Sequence, residues 1–216
     1  MPARLWTTVG LVAALIGPPL FVVVPDRLFG SFPSLGIQIV LQLLYLGLAA
    51  FVLWIVLRRE RLPLQSIGVR PLGWSTPISA VLLSIVLAVM PSITAPLLEM
   101  AGPDAARAGI ERLIRVPLWF RIVLGLSGGI VEETLYRGYA IERLAMITGR
   151  RWLGGAISAV VFALAHVPAW GFAFSLAADL PFAIVMTLFY LWRRDLVANA
   201  IAHSLALVVT LIGLRP

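Results

Sequence analysis

Long apolar runs broken by short polar stretches dominate the chain, without the alternation of a half-buried strand or the single stripe of a surface helix. Seven such runs stand out, at about 5–24, 37–57, 78–98, 118–141, 153–167, 172–192 and 196–214. Most approach the roughly 20 residues a helix needs to cross a bilayer. Gly17, Pro18 and Pro19 are expected to kink or break the first run, and Asp179 and Pro181 interrupt the sixth. A polar connector, 62–77, carries Pro63, Pro71 and Gly73 as breakers. Between 102 and 117 the pattern changes. Ile110, Leu113 and Ile114 share one helical face and Arg107, Glu111 and Arg115 another, with Pro103 suited to a first helical position and Pro117 to an end. This segment reads as a short helix in the membrane interface, or equally as a solvated loop helix. The pattern therefore predicts an all-α polytopic transmembrane bundle of about seven spans plus a short interfacial helix. It forms a single membrane domain, with N-terminal spans over 1–101 and the remaining spans over 118–214.

Composition agrees. Of 216 residues 61% are hydrophobic and only 12% charged, too few polar groups to cover a soluble domain of that length. The first run is longer than a signal-peptide core and lacks a small-x-small cleavage site, so it is expected to be retained. The net charge is +7 and every basic residue is Arg. These Arg residues sit at the ends of apolar runs rather than in a stripe interleaved with aromatics, which argues against nucleic acid as a partner and for membrane lipid. With the N-terminus inside, Arg4, Arg58, Arg59, Arg61, Arg70, Arg143, Arg150, Arg151, Arg193 and Arg194 fall on the cytoplasmic side. Arg27, Arg107, Arg112, Arg115, Arg121 and Arg215 fall outside, those of the outer loop partly balanced by Glu99, Asp104 and Glu111. The expected setting is the bacterial cytoplasmic membrane. Cys is absent, which excludes disulfides, thiolate ligands and a cysteine nucleophile.

Against this background the polar residues inside the runs carry information, because a charged side chain at mid-membrane costs about 2.5–3.5 kcal/mol on insertion scales. The fourth run contains Glu132, Glu133 and Arg137. Glu133 and Arg137, four residues apart, can pair across one turn, while Glu132 points about 100° away with no partner at helical spacing. The two histidines of the chain, His166 and His203, both lie in apolar runs, and Asn199 sits one turn before His203. One free carboxylate, two imidazoles and an amide suit hydrolysis: the carboxylate as a base, an imidazole orienting water, a second donor for the oxyanion. One Glu with two His is also a zinc-ligand set. The His-Glu-x-x-His motif is missing, as is a Gly-x-Ser-x-Gly elbow.

These residues resemble the three motifs of the CPBP family, the CAAX prenyl protease and bacteriocin-processing intramembrane peptidases also called Abi proteins. The motifs are Glu132-Glu133-x-x-x-Arg137, Phe162-x-x-x-His166, and His203 in a late span. The resemblance covers about 127–214 and implies an intramembrane endopeptidase acting on a peptide or lipidated protein at the membrane. It further implies Glu132 as activator of water, His166 as its partner, His203 as oxyanion stabiliser, and Glu133, Arg137 and Asn199 in support. A divalent metal, zinc first, held by Glu132, His166 and His203, and a metal-free glutamate mechanism are both left open. Bacterial members have roles that include bacteriocin immunity. The family's third motif usually reads His-x-x-x-Asn, whereas the fourth residue after His203 is Leu207, which cannot donate a hydrogen bond. Asn199 and Ser204 are the neighbours that can stand in for it. The departure keeps alive a non-catalytic immunity or scaffold protein as the alternative. A transporter is less well supported, since no inverted halves are evident.

Counting residues from the ends of the runs at 1.5 Å each puts Glu132 and His203 near the inner half and His166 near the outer face. A single site then needs the fifth span to tilt, to start late at Gly154-Gly155, or to border a water-filled cavity.

Overall fold

The computed structural model describes residues 2–102 and 107–214. Within them lie eight helices: α1 (Pro2–Phe29), α2 (Leu35–Trp54, continued by a wider π turn, Ile55–Arg59), α3 (Ser75–Ala101), α4 (Arg107–Ile114), α5, α6 (Arg151–Trp170), α7 and α8 (Leu196–Gly213). Two are composite. The helix α5 runs as Leu118–Glu132, a π segment Glu133–Ile141, and Glu142–Thr148, while α7 runs as Phe172–Phe174, a π segment Ser175–Asp179, and Leu180–Arg193. Six helices, all but α4 and α5, are long and apolar enough to cross a membrane. The remaining long rod, α5, carries Glu132, Glu133 and Arg137 of the first motif and is not apolar enough to qualify, so six spans qualify among the described residues where about seven were expected. The expected helix start at Pro103, and the placements of Asp104 and Arg215, fall outside the described residues.

Lipid as solvent turns the usual burial pattern around. Leu43, Ile93, Leu188 and Val209 are exposed on the outside of the bundle, while Arg137, Arg143, Glu133 and His203 are buried. For the same reason α1 is not broken at Gly17-Pro18-Pro19: it continues unbroken with three prolines inside it. A break in hydrocarbon would expose more backbone donors and acceptors than the prolines themselves leave unpaired. The sixth run also continues through Asp179, with the π segment absorbing the change of register.

The helix α5 extends beyond its apolar run, and this extension sets the depth of everything else. The run stops at Ile141, but Glu142 and Arg143 remain helical because each finds buried partners. Arg143 pairs with Glu60 at 2.8 Å and donates to Ser66, while Glu142 pairs with Arg194 at 2.9 Å and accepts from Tyr190. Glu60 also accepts from Thr7 and Tyr139, which ties α1, α2 and α5 together. The hairpin to α6 therefore turns at Gly149, whose φ of +69° suits glycine.

Helices α5 and α8 pack with backbones in near contact. A Cβ on Gly129 would lie 2.5 Å from the Ser204 nitrogen, and one on Gly125 would lie 2.9 Å from that of Val208. This is small-residue packing at four-residue spacing, which lets two membrane helices approach without a hydrophobic drive. Arg121 closes the opposite end by donating to the carbonyls of Ile114, Val116 and Leu214, which are otherwise unpaired at the ends of α4 and α8.

Candidate active site

Glu133 is the centre of the buried part of the site. Its Oε1 accepts from Arg137 Nη1 at 2.9 Å and from His203 Nδ1 at 2.8 Å, and its Oε2 accepts from Asn199 Nδ2 at 3.2 Å. Arg137 also donates to the Ala183 carbonyl and lies over the Phe162 ring at 4.3 Å. Phe162 in turn packs on His166 with ring centroids 4.4 Å apart. Three distant stretches of chain are thereby locked around one carboxylate, and Glu133, Arg137 and Asn199, the residues expected in support, meet there. Glu133 thereby gains a cationic partner and an amide donor inside the bundle, while Arg137 Nε and Asn199 Oδ1 stay buried without a partner among the described residues.

Glu132 turns the other way. Its side chain is 15% exposed where that of Glu133 is 0%, and its Oε2 faces His166 Nε2 at 3.9 Å and His203 Nε2 at 3.7 Å. These distances are too long for direct hydrogen bonds and suit groups bridged by one water. The other ring nitrogens fix the tautomers. His166 Nδ1 lies 2.8 Å from the Phe162 carbonyl, and His203 Nδ1 faces the Glu133 carboxylate. Both partners can only accept, so in a neutral imidazole each Nδ1 carries the proton and each Nε2 presents a bare lone pair. Three acceptors thus converge on one point.

Glu132 and His166 meet at one depth because of the long α5. Glu132 stands sixteen residues before the end of α5 at Thr148, and His166 fifteen after the start of α6 at Arg151. The depth mismatch expected from the apolar runs disappears, since it came from ending the fourth span at Ile141. The fifth span does not start late. Its Gly154 lies against the Ile141 carbonyl instead.

A cavity of about 610 Å³ opens beside Glu132, within the size range of small-ligand sites. Tyr45, Tyr136, His166, Trp170 and Leu207 line it, with Pro18, Phe21 and Leu41 on its apolar side and the Arg112–Asp26 ion pair among its polar residues. Neither neighbour expected to stand in for the missing amide faces it. Asn199 Nδ2 is committed to Glu133 and the Met186 carbonyl, and Ser204 Oγ to the Leu126 carbonyl. Three further groups escaped the sequence reading. Asp179 lies within electrostatic reach of His166, Glu132 and His203, and one of its oxygens is buried without a partner among the described residues. A charge interrupting an apolar run was its only signal. The Tyr45 phenol lies beside the Glu132 carboxylate, and Tyr136 closes the same corner. A tyrosine in an apolar run carries no comparable mark.

Residues 114–209 match the family described as type II CAAX prenyl endopeptidase Rce1-like. The Rce1-like stretch contains Glu132, Glu133, Arg137, Phe162, His166, Asn199 and His203, and it agrees with the motif resemblance. It is a family of membrane proteases, and with six helices able to cross a bilayer the chain is an integral membrane protein. No curated protein and no solved structure matches it. The Rce1-like stretch begins after α1–α3, so Tyr45 lies outside it. No group of three or more His, Asp or Glu among the described residues is arranged to hold a metal ion. The donor chemistry of Glu132 and the two Nε2 atoms suits zinc.

Proposed function

We propose that the protein is an intramembrane endopeptidase of CAAX type, cutting a peptide or lipidated protein by a water that Glu132 activates. The observation that carries this reading is Glu132 Oε2 facing the Nε2 atoms of His203 and His166 at 3.7 and 3.9 Å on the wall of an apolar cavity. Glu132 takes a proton from the water as its oxygen attacks the scissile carbonyl carbon. The carbonyl pair moves onto its oxygen, and collapse expels the amine, which receives the proton held by Glu132. His166 holds the attacking water through Nε2. His203 donates Nε2–H to the oxyanion in the tautomer or charge state that carries a proton there. The cavity's apolar side, formed by α1, α2 and α8, suits the lipid of a prenylated cysteine. The arginine-rich ends 58–61 and 150–151 support an N-terminus on the cytoplasmic side.

A divalent ion on Glu132, His166 and His203 is the second chemistry, favoured by the two free Nε2 lone pairs. A non-catalytic immunity or scaffold role is favoured by Leu207, which gives the cavity wall no amide. One experiment separates the three. Purified protein in detergent is offered a farnesylated fluorogenic peptide ending in a CAAX sequence, with and without chelator. Chelator-insensitive cleavage that Glu132→Gln abolishes is the expected result. Loss of cleavage on chelation, restored by zinc, assigns the metal route, and no cleavage by the wild type removes the peptidase reading.

A further inference from the structure

The site as assembled is rich in acceptors and short of donors. Glu132 Oε2 and the two Nε2 atoms all bring lone pairs. Asn199 and Ser204 spend their protons on Glu133, Met186 and Leu126, and Leu207 offers only methyl groups to the cavity. Among the histidines and the residues around Leu207, a tetrahedral oxyanion formed here would meet one donor at best, an Nε2–H on His203, although two or more preorganised donors are the usual requirement.

Two phenols line the same cavity as Glu132. Tyr136 is wholly buried, and its hydroxyl has no hydrogen-bond partner among the described residues. Its ring is fixed edge-on against Phe162, with centroids 5.1 Å apart. A buried hydroxyl left unpaired is costly and calls for an explanation, and this one lines the cavity that holds Glu132. Tyr45 reaches the same corner from α2. Gln42, one turn before it, anchors α2 to α5 by donating to Ser127 Oγ at 2.6 Å, and the Tyr45 ring rests on Phe21 at 5.2 Å. The Tyr45 hydroxyl is held by the Glu132 carboxylate and is released to another acceptor once Glu132 takes the water's proton, and Tyr136 lies within electrostatic reach of both.

We infer that Tyr136 and Tyr45 supply the O–H donors that stabilise the oxyanion of peptide hydrolysis in this protein, the place that Leu207 leaves empty. The inference rests on the endopeptidase reading above. Neither phenol gives up its proton: each donates a hydrogen bond to the carbonyl oxygen as it gains charge, and releases it when the amine departs. Tyr136 comes from α5 within the Rce1-like stretch and Tyr45 from outside it, so the N-terminal spans would complete the catalytic apparatus rather than only enclose it.

The test is the kinetics of Y136F and Y45F on the farnesylated CAAX peptide, beside wild type and Glu132→Gln. Phenylalanine keeps each ring and its packing and removes only the hydroxyl, so melting temperatures should stay at the wild-type value. Removing one oxyanion donor lowers kcat by roughly 100-fold or more. That loss is expected for Y136F with KM within twofold of wild type, a similar or smaller loss for Y45F, and a further loss in the double variant. Values of kcat for the single and double variants within threefold of wild type, while Glu132→Gln is inactive, would overturn the inference and leave the peptidase reading intact. A rise in KM alone would overturn it too, by reassigning the phenols to substrate packing. Absence of cleavage by the wild type would remove both.

Discussion

His203 Nδ1 lies 2.8 Å from Glu133 Oε1, seventy residues away in the chain, and the same oxygen accepts from Arg137. The contact fixes the ring so that Nε2 points at Glu132, and it makes Glu133 the partner of the only Arg buried at that level of the described bundle. Two adjacent glutamates therefore do different work. One is sealed in a network, and the other faces a cavity.

Glu133→Ala leaves Arg137 buried without its carboxylate and frees His203 to rotate. Loss of one partner of a buried ion pair destabilises by about 3–5 kcal/mol. A thermal melt in detergent should show a marked drop, together with lost cleavage. A melt unchanged from wild type would contradict the network.

Glu132→Gln should behave in the opposite way. Its side chain makes long contacts to His166 and His203 and accepts from the Tyr45 phenol, a bond that a glutamine amide oxygen can also accept, so the melting temperature should hold. Cleavage should fall by roughly 10²–10⁴, the usual contribution of a positioned base. Comparing the two adjacent variants in one melt and one assay separates support from chemistry.

Gly129→Ala places a methyl 2.4 Å from Ser204 Oγ and 2.5 Å from the Ser204 backbone nitrogen. A side-chain rotation cannot relieve a clash with backbone, so α8 must move away from α5. Overpacking of this kind costs about 1–3 kcal/mol. Because His203 rides on α8 next to Ser204, activity should fall with stability. Gly36→Ala, at a site with open space, provides the control and should change neither.

Leu207→Asn adds an amide to the cavity wall beside Gly128 and Glu132. In the Y45F/Y136F background it should recover at least about tenfold in kcat, since one oxyanion donor is worth roughly 10²–10³ when well placed. The measurement is kcat on the same peptide. No recovery would mean that the 207 side chain cannot reach the oxyanion.

Much of the fold was readable because lipid makes the hydropathy pattern decisive. The runs at 37–57, 78–98 and 196–214 became α2, α3 and α8 with shifts of a few residues. The first motif pair was also readable, since Glu133 and Arg137 lie four apart on one helix. The end of α5 was not. Glu142 and Arg143 look like a helix end in an apolar reading, and only their contacts with Arg194, Glu60 and Ser66 show why the helix continues. The same holds for the prolines of α1, where local chemistry predicts a break and the hydrocarbon setting forbids one.

By itself the sequence determined what is oily, which ionisable residues are trapped inside, and that Glu132, His166 and His203 stand in an order resembling a known protease family. Those properties depend on residue identity and spacing along one helix. Only the tertiary structure decided that the three side chains share one depth, that Glu133 and not Glu132 holds His203, and that Asn199 is spent before it can serve the cavity. The same contacts decided that Tyr45 enters from the other half of the chain. These outcomes turn on where separate helices end and how closely they approach. That is fixed by pairs such as Glu142–Arg194 and Gly129–Ser204, whose members are far apart in the chain and carry no local signal of one another.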